Sequence, residues 1–288
     1  MPRTLHVERP RDLDAALAAL AGASERTRVL AGGTDLMVEL ASGRAAPDRV
    51  VDVWKVDELR GIADEDGGLR LGALTTCKEL LASELVRARA DVLAAAALEV
   101  GAEQIQNRAT LGGNLGTASP AADLNPVLVA LGASVRLASA RGVRDVPVER
   151  FLLGYRRTER APDELICSVA IPPRPSGERR AFRKVGTRRA QSISKVVVAL
   201  AVVLDGERVA SVRGAAGSVA PQIVPLPTLA RELVGKVPGD ELLERASRAC
   251  AREDAAPIDD VRSTARYRRH ALQRVLRSVL AELRDRSG

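Results

Sequence analysis

Residues 110–126 read Thr-Leu-Gly-Gly-Asn-Leu-Gly-Thr-Ala-Ser-Pro-Ala-Ala-Asp-Leu-Asn-Pro, a stretch that combines three glycines with amide, hydroxyl and carboxylate side chains. This composition is untypical of a regular helix or strand, and we predict an irregular loop. Gly112 and Gly113 lack a Cβ atom, so the backbone there can approach a bulky group closely. Further side-chain donors and acceptors follow along the same curve: Asn114, Thr117, Ser119 and Asp123. The stretch therefore predicts a site for a polar ligand.

A second glycine pair lies earlier in the chain. Residues 27–31 have the pattern of a short buried strand and residues 36–40 that of a helix, so Gly32-Gly33-Thr34-Asp35 forms the turn between them. Free N–H groups and the helix dipole favour an anion at such a turn. Neither glycine segment has the Gly-x-Gly-x-x-Gly of a Rossmann turn or the Gly-Lys-Ser/Thr of a P-loop. A lone glycine pair is usually only a turn, but two such segments favour a dinucleotide.

Length and composition indicate an ordinary globular protein. The chain has 288 residues, 46% of them hydrophobic, which is enough for one large domain or two modest ones. We find no apolar run of membrane-spanning length and no secretory signal, and we expect a cytoplasmic location. The three cysteines are far apart and the two histidines, His6 and His270, are not near them in sequence. We therefore predict no disulfide framework and no metal site.

The formal net charge of +7 raises the possibility of nucleic-acid binding. The 44 basic residues, however, are spread along the chain among 37 acidic ones. Aromatic residues make up only 2% of the chain, so platforms for base stacking are scarce. We predict no nucleic-acid partner, and we interpret the arginine excess as compositional drift or as a surface for protein contacts.

Hydrophobic periodicity predicts an α+β fold. Helices are predicted at residues 12–20, 91–100 and 123–131, and strands at residues 49–53, 69–74, 134–138 and 164–171. The proline-rich stretch at residues 172–177 is the clearest break, and we place a domain boundary there, giving domains 1–175 and 176–288. The second domain should be an antiparallel sheet with helices: strands at 181–185, 193–204 and 208–216, and helices at 226–235, 239–251 and 263–285.

The two glycine segments together resemble a known family. Residues 29–36 and 110–126 resemble the FAD-binding (medium) subunits of the xanthine dehydrogenase family of molybdenum hydroxylases, which also occur in carbon monoxide dehydrogenase-type complexes. Four further segments resemble the family in the same order along the chain: residues 151–158, 164–166, 182–191 and 267–270. The resemblance thus covers nearly the whole chain.

The resemblance implies a fold and a cofactor. The fold is a PCMH or vanillyl-alcohol-oxidase-type FAD-binding domain of two α+β subdomains, followed by a smaller C-terminal α+β domain. The pyrophosphate of FAD would meet the backbone of Val29, Leu30, Ala31, Gly32, Gly33, Thr34, Asp35 and Leu36. A second wall would come from Thr110, Gly112, Gly113 and Asn114, with hydroxyls from Thr117 and Ser119 and a polar anchor from Asp123.

Three further residues acquire a role only through the resemblance. Ile166 would pack against the flavin ring, although the residue pattern alone favours a strand core position. Lys184 and Arg188 would lie beside the isoalloxazine, where positive charge raises the reduction potential, although on sequence alone they could be solvated charges.

The implied activity is electron transfer. In the family, a large molybdopterin subunit oxidises the substrate, and a small subunit passes electrons through two iron–sulfur clusters to FAD. FAD then reduces NAD⁺ or another acceptor. We predict no catalytic acid–base pair, nucleophile or metal ligand in this chain. Two other interpretations stay open: a self-sufficient flavin oxidase on the same fold, which often has a His or Cys for covalent flavin attachment, and a non-enzymatic basic scaffold.

Overall fold

The first part of the fold is a small parallel sheet. The computed structural model describes residues 5–188 and 191–286. The sheet has the order β1-β3-β2, and its strands are β1 (His6–Glu8), β2 (Thr27–Leu30) and β3 (Arg49–Asp52). Helix α1 (Leu13–Leu20) begins where the Asp12 side chain accepts a hydrogen bond from the Ala15 N–H. Helix α2 (Leu36–Ala41) follows β2 across residues 32–35, so the predicted strand, glycine turn and helix are confirmed.

A five-stranded antiparallel sheet forms the second layer, in the order β4-β5-β10-β6-β7. Strands β8 and β9 form a separate small hairpin. The bounds are β4 (Ile62–Glu65), β5 (Gly68–Gly72), β6 (Ser134–Ser139), β7 (Gly142–Pro147), β8 (Leu152–Gly154), β9 (Arg157–Thr158) and β10 (Leu165–Ile171). The turn between β4 and β5 contains Asp66 and Gly67, both with positive φ, as a tight two-residue hairpin turn requires.

Short helices share a hydrophobic core with this sheet. They are α3 (Cys77–Ala82), α4 (Glu84–Arg89), α5 (Asp91–Leu98), α7 (Leu111–Thr117), α8 (Leu124–Ala130) and α9 (Val148–Phe151), whereas the short helix α6 (Glu103–Gln106) has no buried residue. Every residue of α8 is buried. The Thr76 side chain and Glu79 form a capping box at the start of α3.

Helix α7 corrects the prediction of an irregular loop at residues 110–126. The Thr110 hydroxyl accepts a hydrogen bond of 3.1 Å from the Gly113 N–H and starts the helix. Leu111 and Leu115 are buried, which offsets the low helix propensity of the three glycines. The prediction is therefore wrong for α7, because packing outweighs propensity. The helix ends at Ala118, whose backbone is left-handed with φ of 46°.

The C-terminal part is a four-stranded antiparallel sheet covered by helices. Its strands are β11 (Glu178–Val185), β12 (Val196–Asp205), β13 (Arg208–Gly217) and β14 (Val224–Pro225), in sequential order. The helices are α10 (Pro227–Leu233), α11 (Asp240–Glu253) and α12 (Ala265–Asp285). The apolar stripe of α12 is buried, as its spacing predicts: Leu272, Leu276, Val279 and Leu283.

Polar contacts join the two parts. Arg180 on β11 is almost completely buried, and its guanidinium donates to Glu178 Oε1 at 2.6 Å and to the Arg89 carbonyl of α4. The Ser218 N–H donates to the Pro120 carbonyl at 2.6 Å. The proposed boundary at residue 175 lies in the connection between β10 and β11, and it stays a prediction. No helix in the described part of the chain has the length and apolar character needed to cross a bilayer.

Candidate functional site

A cleft of about 820 Å³ lies between the glycine turn (residues 32–35), helix α7 and strand β10. The β8–β9 hairpin contributes to its rim. Most of the residues predicted from the sequence line it: Val29, Ala31, Gly32, Gly33, Thr34, Asp35, Leu36, Thr110, Gly112, Gly113, Asn114, Thr117 and Ile166. The fold thus brings together two segments that are far apart in sequence.

The glycine turn offers free backbone donors. Gly33 has φ of 81°, a conformation that favours glycine, and its carbonyl accepts a hydrogen bond from the Met37 N–H of α2. Across residues 5–188 and 191–286, the N–H groups of Gly33 and Thr34 donate to no acceptor. Such N–H groups beside a cleft can bind an anion.

The first amides of helix α7 are already used within the protein. Leu111 donates to the Thr75 carbonyl at 2.9 Å, and Gly112 donates to the Ala73 carbonyl at 2.8 Å. The Gly113 N–H bonds to the Thr110 hydroxyl, and the Asn114 N–H donates to the Thr110 carbonyl at 2.9 Å. Helix α7 therefore supplies a close-packed wall rather than backbone donors.

Asn114 carries a polar atom that fits a ligand. Its Oδ1 is buried and has no hydrogen-bond partner in the described part of the protein, although the residue lines the cleft. Buried polar atoms without a partner are rare because each costs about 1–3 kcal/mol. A ligand with a hydrogen-bond donor could satisfy this oxygen.

Direct contacts join the two cleft segments. The Thr117 hydroxyl donates to Asp35 Oδ2 at 3.1 Å. Arg108, which precedes α7, donates from Nε to the Gly32 carbonyl at 3.3 Å. A Cβ atom on Gly32 would lie only 1.7 Å from the Arg108 carbonyl oxygen, so only glycine fits there.

Five predicted residues do not line the cleft: Leu30, Ser119, Asp123, Lys184 and Arg188. Leu30 is half-buried at the end of β2. The Ser119 hydroxyl accepts a hydrogen bond of 3.2 Å from the Ala121 N–H. The Arg188 guanidinium is exposed and donates to the Gln191 carbonyl at 2.7 Å. Their cofactor roles stay predictions.

Asp123 and Lys184 form a buried ion pair between α8 and β11. Lys184 Nζ donates to Asp123 Oδ2 at 2.7 Å and to the Glu99 carbonyl at 2.9 Å, while the Ser194 hydroxyl donates to Asp123 Oδ1 at 2.6 Å. The Lys184 side chain is only 5% exposed and that of Asp123 only 10%. Desolvation raises the pKa of Asp123, although Lys184 and Ser194 counteract that rise.

The structure adds arginines that sequence reasoning missed. Five arginines line the cleft together with Tyr155: Arg28, Arg44, Arg156, Arg157 and Arg160. Arg156 forms an ion pair with Glu39, and Arg160 Nη1 donates to the Glu164 carbonyl at 2.6 Å. Because arginines are spread along the whole sequence, composition gave no signal for this cluster. The only signal was the family resemblance of residues 151–158.

Cys77 is a further cleft residue that the sequence did not indicate. It begins α3 and is buried, and desolvation raises the pKa of its thiol to about 12. The thiol is therefore protonated at neutral pH and is poorly suited to covalent attachment of a flavin. The Thr76–Glu79 capping box starts the helix at this point. Nothing in the sequence, however, places Cys77 at a cleft.

Two family descriptions match the chain. "FAD binding domain in molybdopterin dehydrogenase" matches residues 3–174, and "CO dehydrogenase flavoprotein C-terminal domain" matches residues 180–283. The glyceraldehyde dehydrogenase medium chain of Sulfolobus acidocaldarius is 30% identical over 265 residues, covering 92% of this chain and 93% of the relative. The xanthine dehydrogenase FAD-binding subunit of Escherichia coli O157:H7 is 30% identical, covering 89% of this chain and 88% of that subunit.

Solved structures share the fold over nearly the whole chain. A carbon monoxide dehydrogenase chain from Hydrogenophaga pseudoflava has a TM-score of 0.93 at 27% identity, covering 98% of this chain and 97% of that one. A chain of quinoline 2-oxidoreductase from Pseudomonas putida 86 has a TM-score of 0.90 at 26% identity, covering 98% of this chain. The predicted α+β fold class is confirmed.

Proposed function

The chain belongs to the family of FAD-binding subunits of molybdopterin dehydrogenases, and on this premise we propose that it transfers electrons within a molybdenum hydroxylase complex. It is an oxidoreductase subunit, and its cofactor is FAD. The observation that supports the proposal best is that two features face one cleft: the N–H groups of the glycine turn, which donate to no acceptor among the described residues, and the close-packed wall of α7.

The cleft residues fit an FAD molecule. The N–H groups of Gly33 and Thr34 would bind the pyrophosphate, since backbone donors at a glycine turn match phosphate oxygens. Helix α7 would form the opposite wall, where Gly112, Gly113 and Gly116 line the cleft. The Asn114 Oδ1, which lacks a partner within the described residues, would accept a hydrogen bond from the cofactor. Ile166 on β10 would pack against the flavin ring.

The chain's own residues bind the cofactor, orient it and shield it from water. Bound FAD supplies the redox chemistry, accepting electrons and passing them on. The buried apolar wall around Ile166 and Cys77 excludes water from one side of the cleft. The neutral Cys77 thiol adds no nucleophile, so the cleft gives no support to a self-sufficient oxidase with covalently attached flavin.

The names of the relatives support the proposal that this chain works with partner subunits. Several relatives are called medium chains or FAD subunits, which implies further subunits in their complexes. We propose a large molybdopterin subunit that oxidises the substrate and a small subunit with two iron–sulfur clusters that delivers electrons to this chain. The acceptor is NAD⁺ or another oxidant, and the complex works in the cytoplasm.

Titration with FAD tests cofactor binding. The purified chain should bind one FAD per chain in equilibrium dialysis and release unmodified FAD on denaturation. Addition of a reduced iron–sulfur partner subunit should then bleach the flavin absorption under anaerobic conditions. A chain that binds no FAD, alone or with partner subunits, would refute the proposal. Rapid turnover of an alcohol by this chain alone would favour the oxidase instead.

A further inference from the structure

A cation–π stack lies directly behind the cleft. The Arg108 guanidinium carbon is 3.7 Å from the centroid of the Trp54 ring, and the Arg60 guanidinium lies 4.7 Å from the same centroid. Arg60 also donates to the Trp54 carbonyl at 2.7 Å. The neighbours of the stacked pair, Val53 and Ala109, line the cleft, whereas Trp54 and Arg108 do not.

Arg108 connects this stack to the glycine turn. While its guanidinium lies on Trp54, the Nε edge donates to the Gly32 carbonyl. Its own backbone carbonyl occupies the space that a side chain on Gly32 would need. Arg108 thus connects three places in the fold. Its side chain contacts Trp54 after β3 and Gly32 in the glycine turn after β2, and its backbone lies just before the start of α7.

We propose that Arg108 is a positioning residue for the cofactor, which it orients through the peptide bond between Gly32 and Gly33. In a trans peptide the carbonyl and the following N–H point in opposite directions. Arg108 bonds to the Gly32 carbonyl but does not line the cleft, whereas Gly33 does. We therefore infer that the bond turns the Gly33 N–H toward the cleft. This inference rests on the proposed function, in which that N–H binds the FAD pyrophosphate.

An arginine is required because two contacts must be made at once. A guanidinium is planar, so it can lie flat on an indole while an edge N–H donates to a carbonyl. A lysine ammonium keeps the positive charge but has no planar face and no fixed edge donor. The Arg108→Lys variant therefore separates positioning from simple attraction between a cation and an anionic cofactor.

The experiment measures FAD binding by wild type, Arg108→Lys, Arg108→Ala and an exposed control on α12, Arg266→Ala. The fluorescence of Trp54, the single tryptophan, reports the stack in the FAD-free proteins. We expect the Arg108→Lys and Arg108→Ala variants to weaken FAD affinity by a similar factor, on the order of tenfold, mainly through faster dissociation of FAD. The fluorescence emission of Trp54 should also change in both variants. The control variant should bind FAD as the wild type does.

Full FAD affinity in Arg108→Lys would overturn the inference, because charge alone would then suffice. If Arg108→Ala does not fold, the Lys variant and a Trp54→Leu variant decide the question, and wild-type FAD affinity in either would also overturn it. If the wild type binds FAD and all variants bind equally, only this inference fails. If the wild type itself binds no FAD, the proposed function fails.

Discussion

The glycine turn and helix α7 contain similar residues but use their glycines in different ways. In the turn, positive φ at Gly33 leaves N–H groups without acceptors in the described part of the protein. In α7 the corresponding N–H groups are already bonded to protein oxygens. There, Gly112 serves packing instead, because a Cβ atom would lie 2.7 Å from the Ala73 Cβ. One segment supplies donors, and the other supplies a wall of low steric bulk.

Replacing Gly32 with Ala should have the largest effect. The new Cβ would lie 1.7 Å from the Arg108 carbonyl oxygen, and two backbones would have to separate. We expect a loss of about 3 kcal/mol in the free energy of unfolding, measured with urea, and no detectable FAD binding. Gly22→Ala is the matched control, because nothing lies within 4 Å of its Cβ position. Wild-type affinity in Gly32→Ala would mean that the two segments need not dock.

Replacing Gly112 with Ala tests the packing role of α7. The clash with Ala73 should destabilise the fold more than the higher helix propensity of alanine stabilises it. We expect a net loss of about 1–2 kcal/mol in the free energy of unfolding. The double variant Ala73→Gly with Gly112→Ala should recover part of that loss. Additive losses in the double variant would contradict a direct contact between the two positions.

Replacing Gly116 with Ala should affect stability and binding in opposite directions. Its Cβ would meet Ile166 Cδ1 at 3.6 Å, an ordinary contact, so the FAD-free chain should gain about 0.5–1 kcal/mol from helix propensity. Because Gly116 lines the cleft, the added methyl group should weaken FAD binding. Calorimetry of the FAD-free and FAD-bound chains checks both expected changes. Tighter FAD binding by the variant would show that α7 does not form a wall of the cofactor site.

Replacing Thr117 with Val should have the smallest effect. The variant removes the hydroxyl that donates to Asp35 and keeps the side-chain shape. We expect a loss of about 0.5–1 kcal/mol in the free energy of unfolding and a slight weakening of FAD binding. Thr117→Ser keeps the hydroxyl and is the control. A larger loss than that of Gly112→Ala would mean that this bridge, rather than packing, joins the segments.

Much of the fold could be predicted from local sequence. Apolar spacing predicted α1 and α12 closely, because this signal acts within one element. The helical state of α7 could not be predicted, since it depends on contacts with Ala73 and on burial of Leu111. Intrinsic propensity carries no information about such distant partners.

The site could be predicted only in part, because local sequence carries no information about which distant residues meet in the fold. Both glycine segments stand out by composition, and most of their residues line the cleft. The arginine cluster and Cys77 were missed because only the folded chain brings them together. The mutual pairing of Asp123 and Lys184 was also not predicted, since these residues come from different parts of the chain.

Amide hydrogen exchange with and without FAD tests the division of roles most directly. In ¹⁵N-labelled FAD-free protein, the amides of Gly33 and Thr34 should exchange fast, and those of Gly112 and Gly113 should exchange slowly. Saturation with FAD should protect Gly33 and Thr34 strongly and change α7 little. New protection confined to the first amides of α7, with Gly33 and Thr34 unchanged, would contradict the assignment of the pyrophosphate to the glycine turn.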